Sequence, residues 1–157
     1  MKILYVDIRS ILYSNRYLNS IEGLLEQYKL HVIKGADHLL EYVEPDREGA
    51  KKIARAANEA GLLIYPTGTR YTRELLIKHN VFCDEQLAPV VQILMRPRDT
   101  DALRLLIAHA NFLNAEWYVC GDLCSDERAQ YIPERYLVSS FEEGVSDELI
   151  SKITAID

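Results

Sequence analysis

Trp117-Tyr-Val-Cys-Gly-Asp-Leu-Cys-Ser-Asp126 decides how the rest of the chain is read. An apolar run, Trp117 to Cys120, ends in Gly121, and carboxylates follow at Asp122 and Asp126. A run closed by Gly-Asp reads as a buried strand that delivers an acid at its C-terminal edge. If a helix starts just after it, the i, i+4 spacing brings Asp126 near Asp122. Two convergent carboxylates at a strand end can hold a hard divalent cation such as Mg²⁺. A strand end followed by an Asp helix cap accounts for the same residues.

A second strand of this kind opens the chain. Met1-Lys-Ile-Leu-Tyr-Val6 is a short apolar run ending at Asp7. It reads as a central buried strand with no targeting segment before it. Ile8 to Tyr13 is too apolar for an exposed loop. Residues 14–27 have helical character around Leu18, Ile21, Leu24 and Leu25, interrupted by Gly23. Tyr28 to Ile33 alternates in a way that suits a strand, and Gly35 to Val43 reads as a short helix stopped before Pro45. The clearest helix is Asp46 to Ala60, with Ala50, Ile53, Ala54, Ala57 and Ala60 on one stripe, an Asp46 cap and a Gly61 stop.

Leu62 to Tyr65 is then a strand, followed by Pro66-Thr67-Gly68-Thr69-Arg70 and a helix over 71–79. Hydroxyls and free backbone N–H groups in such a turn suit a phosphate oxygen; a turn with a Thr cap reads equally well. Val90 to Met95 reads as another strand, running into the charged turn Arg96-Pro-Arg-Asp-Thr-Asp101. Asp99 or Thr100 can cap the helix that carries Leu103, Leu106, Ile107, Ala110 and Leu113. Arg104, at the stripe's edge, either points toward the strand ends or solvates the helix face. Ser125 to Tyr131 suits a short helix, Tyr136 to Ser139 a last strand, and Ser146 the cap of a final helix with Leu149, Ile150 and Ile153. Strands alternating with helices imply an α/β domain, three-layer and Rossmann-like, with a mostly parallel central sheet spanning residues 1–157. Ligands in such sheets gather at the strand C-terminal ends, where Asp7, Thr67, the Arg96–Arg104 region, Asp122 and Asp126 all fall.

Composition bounds the function. Eighteen basic against 24 acidic side chains leave a net charge of −6, which argues against strong non-specific nucleic-acid or anionic-membrane binding. No apolar stretch approaches the roughly 20 residues needed to span a bilayer. Cys83, Cys120 and Cys124, an odd set with no His close by, suit reduced thiols in a cytoplasmic protein rather than a zinc site. His31 and His38 have no partners at metal spacing.

Leu4-Tyr-Val-Asp7, Leu63-Ile-Tyr-Pro-Thr67, Arg104 and Gly121-Asp-Leu-Cys-Ser-Asp126 together resemble, in order, the four motifs of the haloacid-dehalogenase (HAD) superfamily of phosphohydrolases. Met95-Arg-Pro-Arg-Asp-Thr-Asp101, with the helix and acidic strand after it, is similar to the phosphatase part of phage polynucleotide kinase/phosphatases. The resemblance implies a HAD-like fold and phosphomonoester hydrolysis through an aspartyl-phosphate on Asp7. It implies Mg²⁺ held by Asp7, a backbone carbonyl at position 9, and Asp122 or Asp126. Thr67 and Arg104 would contact the transferring phosphate, and Arg9, Gly68 and Arg96 would bind a small phosphorylated molecule or a nucleotide. Residues 13–45 have room to form a small cap or an extra edge of the core.

The first motif departs from the family pattern. The usual Asp-x-Asp-Gly-Thr reads Asp7-Ile-Arg9-Ser10-Ile11 here. The second Asp serves as general acid and base in most family phosphatases, and a guanidinium does neither. The resemblance then implies either an active or slow Mg²⁺-dependent phosphohydrolase or a non-catalytic HAD-like domain that binds a phosphorylated ligand or a protein partner. A PIN-like metal nuclease is a third reading. It requires another acid in the first third, where Glu41 and Glu44 are the candidates, and it leaves the Thr67 turn without a role.

Overall fold

A computed structural model describes residues 1–94, 98–122, 128 and 131–157. At its centre is β1 (Lys2–Val6), whose Ile3, Leu4, Tyr5 and Val6 are all fully buried. Burial on both faces is what a continuous apolar strand in a parallel sheet requires. β1 pairs in parallel with α/β neighbours on both sides: β2 (Leu62–Pro66) and β3 (Glu116–Gly121). β4 (Tyr136–Val138) extends the sheet beyond β3, giving the order β2-β1-β3-β4.

Alternation along β1 sends Leu4 and Val6 to one face and Ile3 and Tyr5 to the other. Over the Leu4 face pack α1 (Ile8–Leu12), α5 (Arg47–Glu59) and α8 (Asp147–Thr154), through Ile11, Ile53, Leu149 and Ile153. Over the Ile3 face lies α7 (Ala102–Phe112), which contributes Leu106 and Ala110 beside Val119 and Tyr136. The architecture is the expected three-layer α/β arrangement with a parallel sheet. No helix among the described residues is long and apolar enough to cross a membrane.

Local signals account for most helix ends. Asp46 accepts from the Gly49 N–H at 2.9 Å to cap α5, and Ser146 accepts from Leu149 N–H at 3.1 Å to cap α8. Burying Ile53 alone stabilises the fold by about 1.5–3 kcal/mol, since its side chain is fully removed from water. Between α1 and α5 lie α2 (Asn15–Ser20), α3 (Leu24–His31) and α4 (Ala36–Tyr42). Their Leu18, Tyr28, Leu39 and Leu40 join the same core as α5. Past β2, Thr72 caps the short α6 (Arg73–Lys78) by accepting from Leu75 N–H.

Three sequence expectations are corrected. Tyr28 to Ile33 is not a strand: α3 runs through His31 and a 3₁₀ turn covers Val32–Lys34. Alternating residues make a strand only where a sheet edge accepts them, and here Leu30 and Ile33 are exposed while Tyr28 is buried. Described residues 90–94 are not a strand either; among the described residues the β2 edge is met by a bridge from Leu87 to Ile64. Finally, Asp101 caps α7, accepting from the N–H groups of Leu103 and Arg104 at 3.1 Å each. Asp99 instead accepts from Asp101 N–H. The expected helix around 125–131 lies mostly outside the described residues.

Candidate functional site

Parallel pairing carries the backbone ladders one residue past the end of β1. Asp7 N–H donates to Cys120 O at 3.0 Å, and Thr67 N–H donates to Val6 O at 3.0 Å. Asp7, Thr67 and Gly121 therefore lie side by side at one edge of the sheet, and Asp122 follows directly. Asp7 stands at the N-cap of α1, yet its side chain makes no capping bond. Its Oδ2 accepts from the Ser10 hydroxyl at 2.7 Å, and the same Ser10 Oγ accepts from Asp122 N–H at 2.8 Å. One buried hydroxyl thus ties the Asp7 carboxylate to the backbone of Asp122. The Gly121 carbonyl is held in turn by Tyr136 Oη at 2.6 Å.

Burial pushes the Asp7 carboxyl above the usual aspartate range. The Ser10 hydrogen bond and the Arg9 charge pull the other way, while the Asp122 charge adds to the rise. Burial is the main cause of the rise, and the second carboxylate adds to it. The neighbouring Cys120 thiol is pushed up by burial and by Asp7, which leaves it an inert core group rather than a nucleophile.

Asp7 opens onto a cavity of about 370 Å³. Thr67 and Gly68 from the turn after β2 line it, together with Arg9, Arg70, Tyr71 and Thr100. Gly68 takes a positive φ of 71°, which glycine adopts without strain. Two guanidiniums and several hydroxyls around one carboxylate make a surface suited to an anion. Arg9 is fixed by its surroundings: Nε donates to Tyr28 Oη at 2.9 Å, and the guanidinium stands 5.8 Å from the centre of the Phe141 ring. Among the described residues neither Arg9 nor Arg70 makes an ion pair.

The structure brings Asp7, Arg9, Thr67 and Gly68 onto one cavity, with Asp122 next to Asp7 through Ser10. Arg104 is placed differently. It is 61% exposed and donates to Asp99 at 3.0 and 3.2 Å, and it does not line the cavity. Arg96 and Asp126 lie outside the described residues. Glu41 and Glu44 are turned elsewhere, Glu41 to His79 and Glu44 to Arg47. His31 and His38 meet each other at 2.7 Å, away from this cavity.

Asp7 and Asp122 suit a divalent cation in charge and in donor type. Mg²⁺ is commonly held by one or two carboxylates, with waters and substrate oxygens completing its shell. Among the described residues no group of three His, Cys, Asp or Glu side chains is arranged as a fuller metal cage. The carbonyl of Arg9, expected as a further ligand, accepts from Tyr13 N–H at 3.0 Å within the helical turn.

Ser10, Arg70 and Tyr71 are site residues that the sequence did not single out. Ser10 lies three residues after a strand-end acid, the spacing at which a hydroxyl can reach back across a first helical turn. Arg70 ends the Thr67-Gly68-Thr69 turn, where a cation next to a hydroxyl-rich turn was a readable sign. Comparison with protein-family models, with curated proteins and with solved structures gives no match to this chain.

Proposed function

We propose that the cavity at the ends of β1 and β2 is the site of a HAD-like, Mg²⁺-dependent phosphohydrolase acting on a small phosphorylated molecule or a nucleotide. The observation that carries this reading is the union, in one cavity, of a raised Asp7 carboxyl with Thr67, Arg9 and Arg70, and with Asp122 beside it. Asp7 supplies the nucleophilic oxygen. It attacks phosphorus, the P–O bond to the leaving group breaks, and an aspartyl-phosphate forms; water then cleaves that acyl phosphate and restores the carboxylate. Thr67 donates to the phosphoryl oxygens, and Arg9 and Arg70 face the rest of the ligand. A Mg²⁺ held by Asp7 and Asp122 would neutralise charge on the transferring group.

The leaving group's proton is the weak point of the site. Arg9 stands where an acid would protonate it, and a guanidinium stays charged. No other Asp, Glu, His or Lys is among the described residues lining the cavity. A missing general acid/base lowers the rate by roughly 10²–10⁴-fold. That same residue favours a second reading, in which the site binds a phosphorylated ligand without turning it over.

A panel of phosphate esters assayed with and without Mg²⁺, with Asp7→Asn run in parallel, tests the proposal. Mg²⁺-dependent turnover that disappears in Asp7→Asn, with a phosphoryl adduct on the wild-type chain by intact mass, is the expected result. Ligand binding by a folded protein with no turnover above the variant would replace hydrolysis with the binding reading.

A further inference from the structure

A second cavity of about 580 Å³ adjoins the first. The two share Arg9, Arg70 and Tyr71, so these side chains stand between the Asp7 compartment and the new one. Its far wall comes from the turn between α3 and α4, through Val32, Ile33 and Ala36. Among the described residues neither arginine makes an ion pair, although the Arg9 charge acts on Asp7, so two guanidiniums face the same space with one carboxylate near. Arg9 is nonetheless held in place by Tyr28 and Phe141. Tyr28 belongs to α3, so one segment both orients the cation and walls the space beyond it. Tyr71 lines both compartments beside the two arginines.

Resting on the reading above, we infer that the ligand carries two anionic groups. The phosphoryl group sits at Asp7 and Thr67. A second phosphate or carboxylate is bound between Arg9 and Arg70 with Tyr71, a short carbon linker joins the two, and Val32 and Ile33 wall the space beyond. Arginine matches both anions through paired N–H donors, whereas a neutral sugar or alcohol would leave two charges unanswered.

Binding of three non-hydrolysable phosphonates tests this without requiring catalysis. Propylphosphonate has one anionic end, phosphonopropionate adds a carboxylate, and propylenebisphosphonate adds a second phosphonate. Calorimetric titration in excess Mg²⁺ should show at least one two-ended probe binding about tenfold tighter or more than propylphosphonate. Whether the carboxylate or the phosphonate gains more identifies the second anion. Arg70→Gln, at an exposed position, should collapse that ratio toward unity. Equal affinities for all three in the wild type, or an unchanged ratio in Arg70→Gln, would overturn the two-anion inference and leave the phosphoryl site standing. No binding of any probe to folded protein would overturn both.

Discussion

A Cβ placed on Gly121 would overlap the Cβ of Asp7 and stand 3.0 Å from Ser10 Oγ and 3.3 Å from Asp7 Cα. The backbone of β3 passes this close at a φ of +125°, a region that side-chain-bearing residues rarely adopt. The close approach is what lets Ser10 reach both Asp7 and Asp122. Gly121→Ala should therefore destabilise the protein by about 1–3 kcal/mol from overpacking, with backbone strain in addition. Urea unfolding measures it. A midpoint equal to the wild type's would mean the strand ends have room that the structure does not show.

Asp7 carries a cost in stability that follows from its raised pKa. A carboxyl raised on folding favours the folded state when protonated. That contribution is fully present below the ordinary aspartate value of about 3.9 and is lost as pH rises through the folded-state value. Near neutral pH, Asp7→Asn should accordingly raise Tm, with the gain fading on acidification toward that ordinary value. Added Mg²⁺ should narrow the gap by stabilising only the wild type. Thermal melts across pH decide it: a variant that melts below the wild type at neutral pH contradicts the expected sign.

An acid at position 9 tests the proton-transfer part of the proposed hydrolysis. Arg9→Asp places a carboxyl in the first turn of α1, where an acid is also compatible with the helix dipole. Mg²⁺-dependent hydrolysis should rise by roughly 10²–10⁴-fold, the usual contribution of general acid–base catalysis. If the rate is unchanged while the variant folds and binds phosphonate, proton transfer is not what limits this chain.

On the opposite face of the sheet, His109 is locked as a neutral ring. Its Nε2–H donates to Pro89 O at 2.9 Å, which leaves Nδ1 of the neutral ring to accept from Tyr5 Oη at 2.7 Å. The tautomer follows from the partners, since a carbonyl only accepts. Burial lowers the His109 pKa, with the Pro89 bond opposing. Its contribution to stability is thus present above the ordinary imidazole value of about 6.5 and is lost as pH falls through the folded-state value. Tyr5→Phe leaves Nδ1 buried and unpaired, which should cost about 1–3 kcal/mol at neutral pH. Denaturant unfolding of the wild type and of Tyr5→Phe across this pH range measures both effects. A wild-type stability that stays flat on acidification, compared with a His109→Gln variant, would falsify the assignment.

The sequence by itself determined the strands that end in Asp7, Thr67 and Gly121-Asp122, the helix from Arg47 to Glu59, and the parallel α/β class. These features are local: an apolar run is read within itself, and a cap such as Asp46 or Ser146 acts over three residues. Tertiary structure decided what local pattern leaves open. Residues 28–33 alternate like a strand, but no edge accepts them and they continue a helix. Asp99, Thr100 and Asp101 are all capable caps, and only the path of the chain selects Asp101. Arg104 carried the expected cation in sequence order, yet α7 sets it on Asp99, and among the described residues the cations lining the cavity are Arg9 and Arg70. Ser10 became part of the site because β3 passes close enough for one hydroxyl to reach both the Asp7 carboxylate and the Asp122 backbone N–H. Sequence fixes which residue follows which, whereas a site is made by residues far apart in the chain, and their meeting depends on packing that no short window contains.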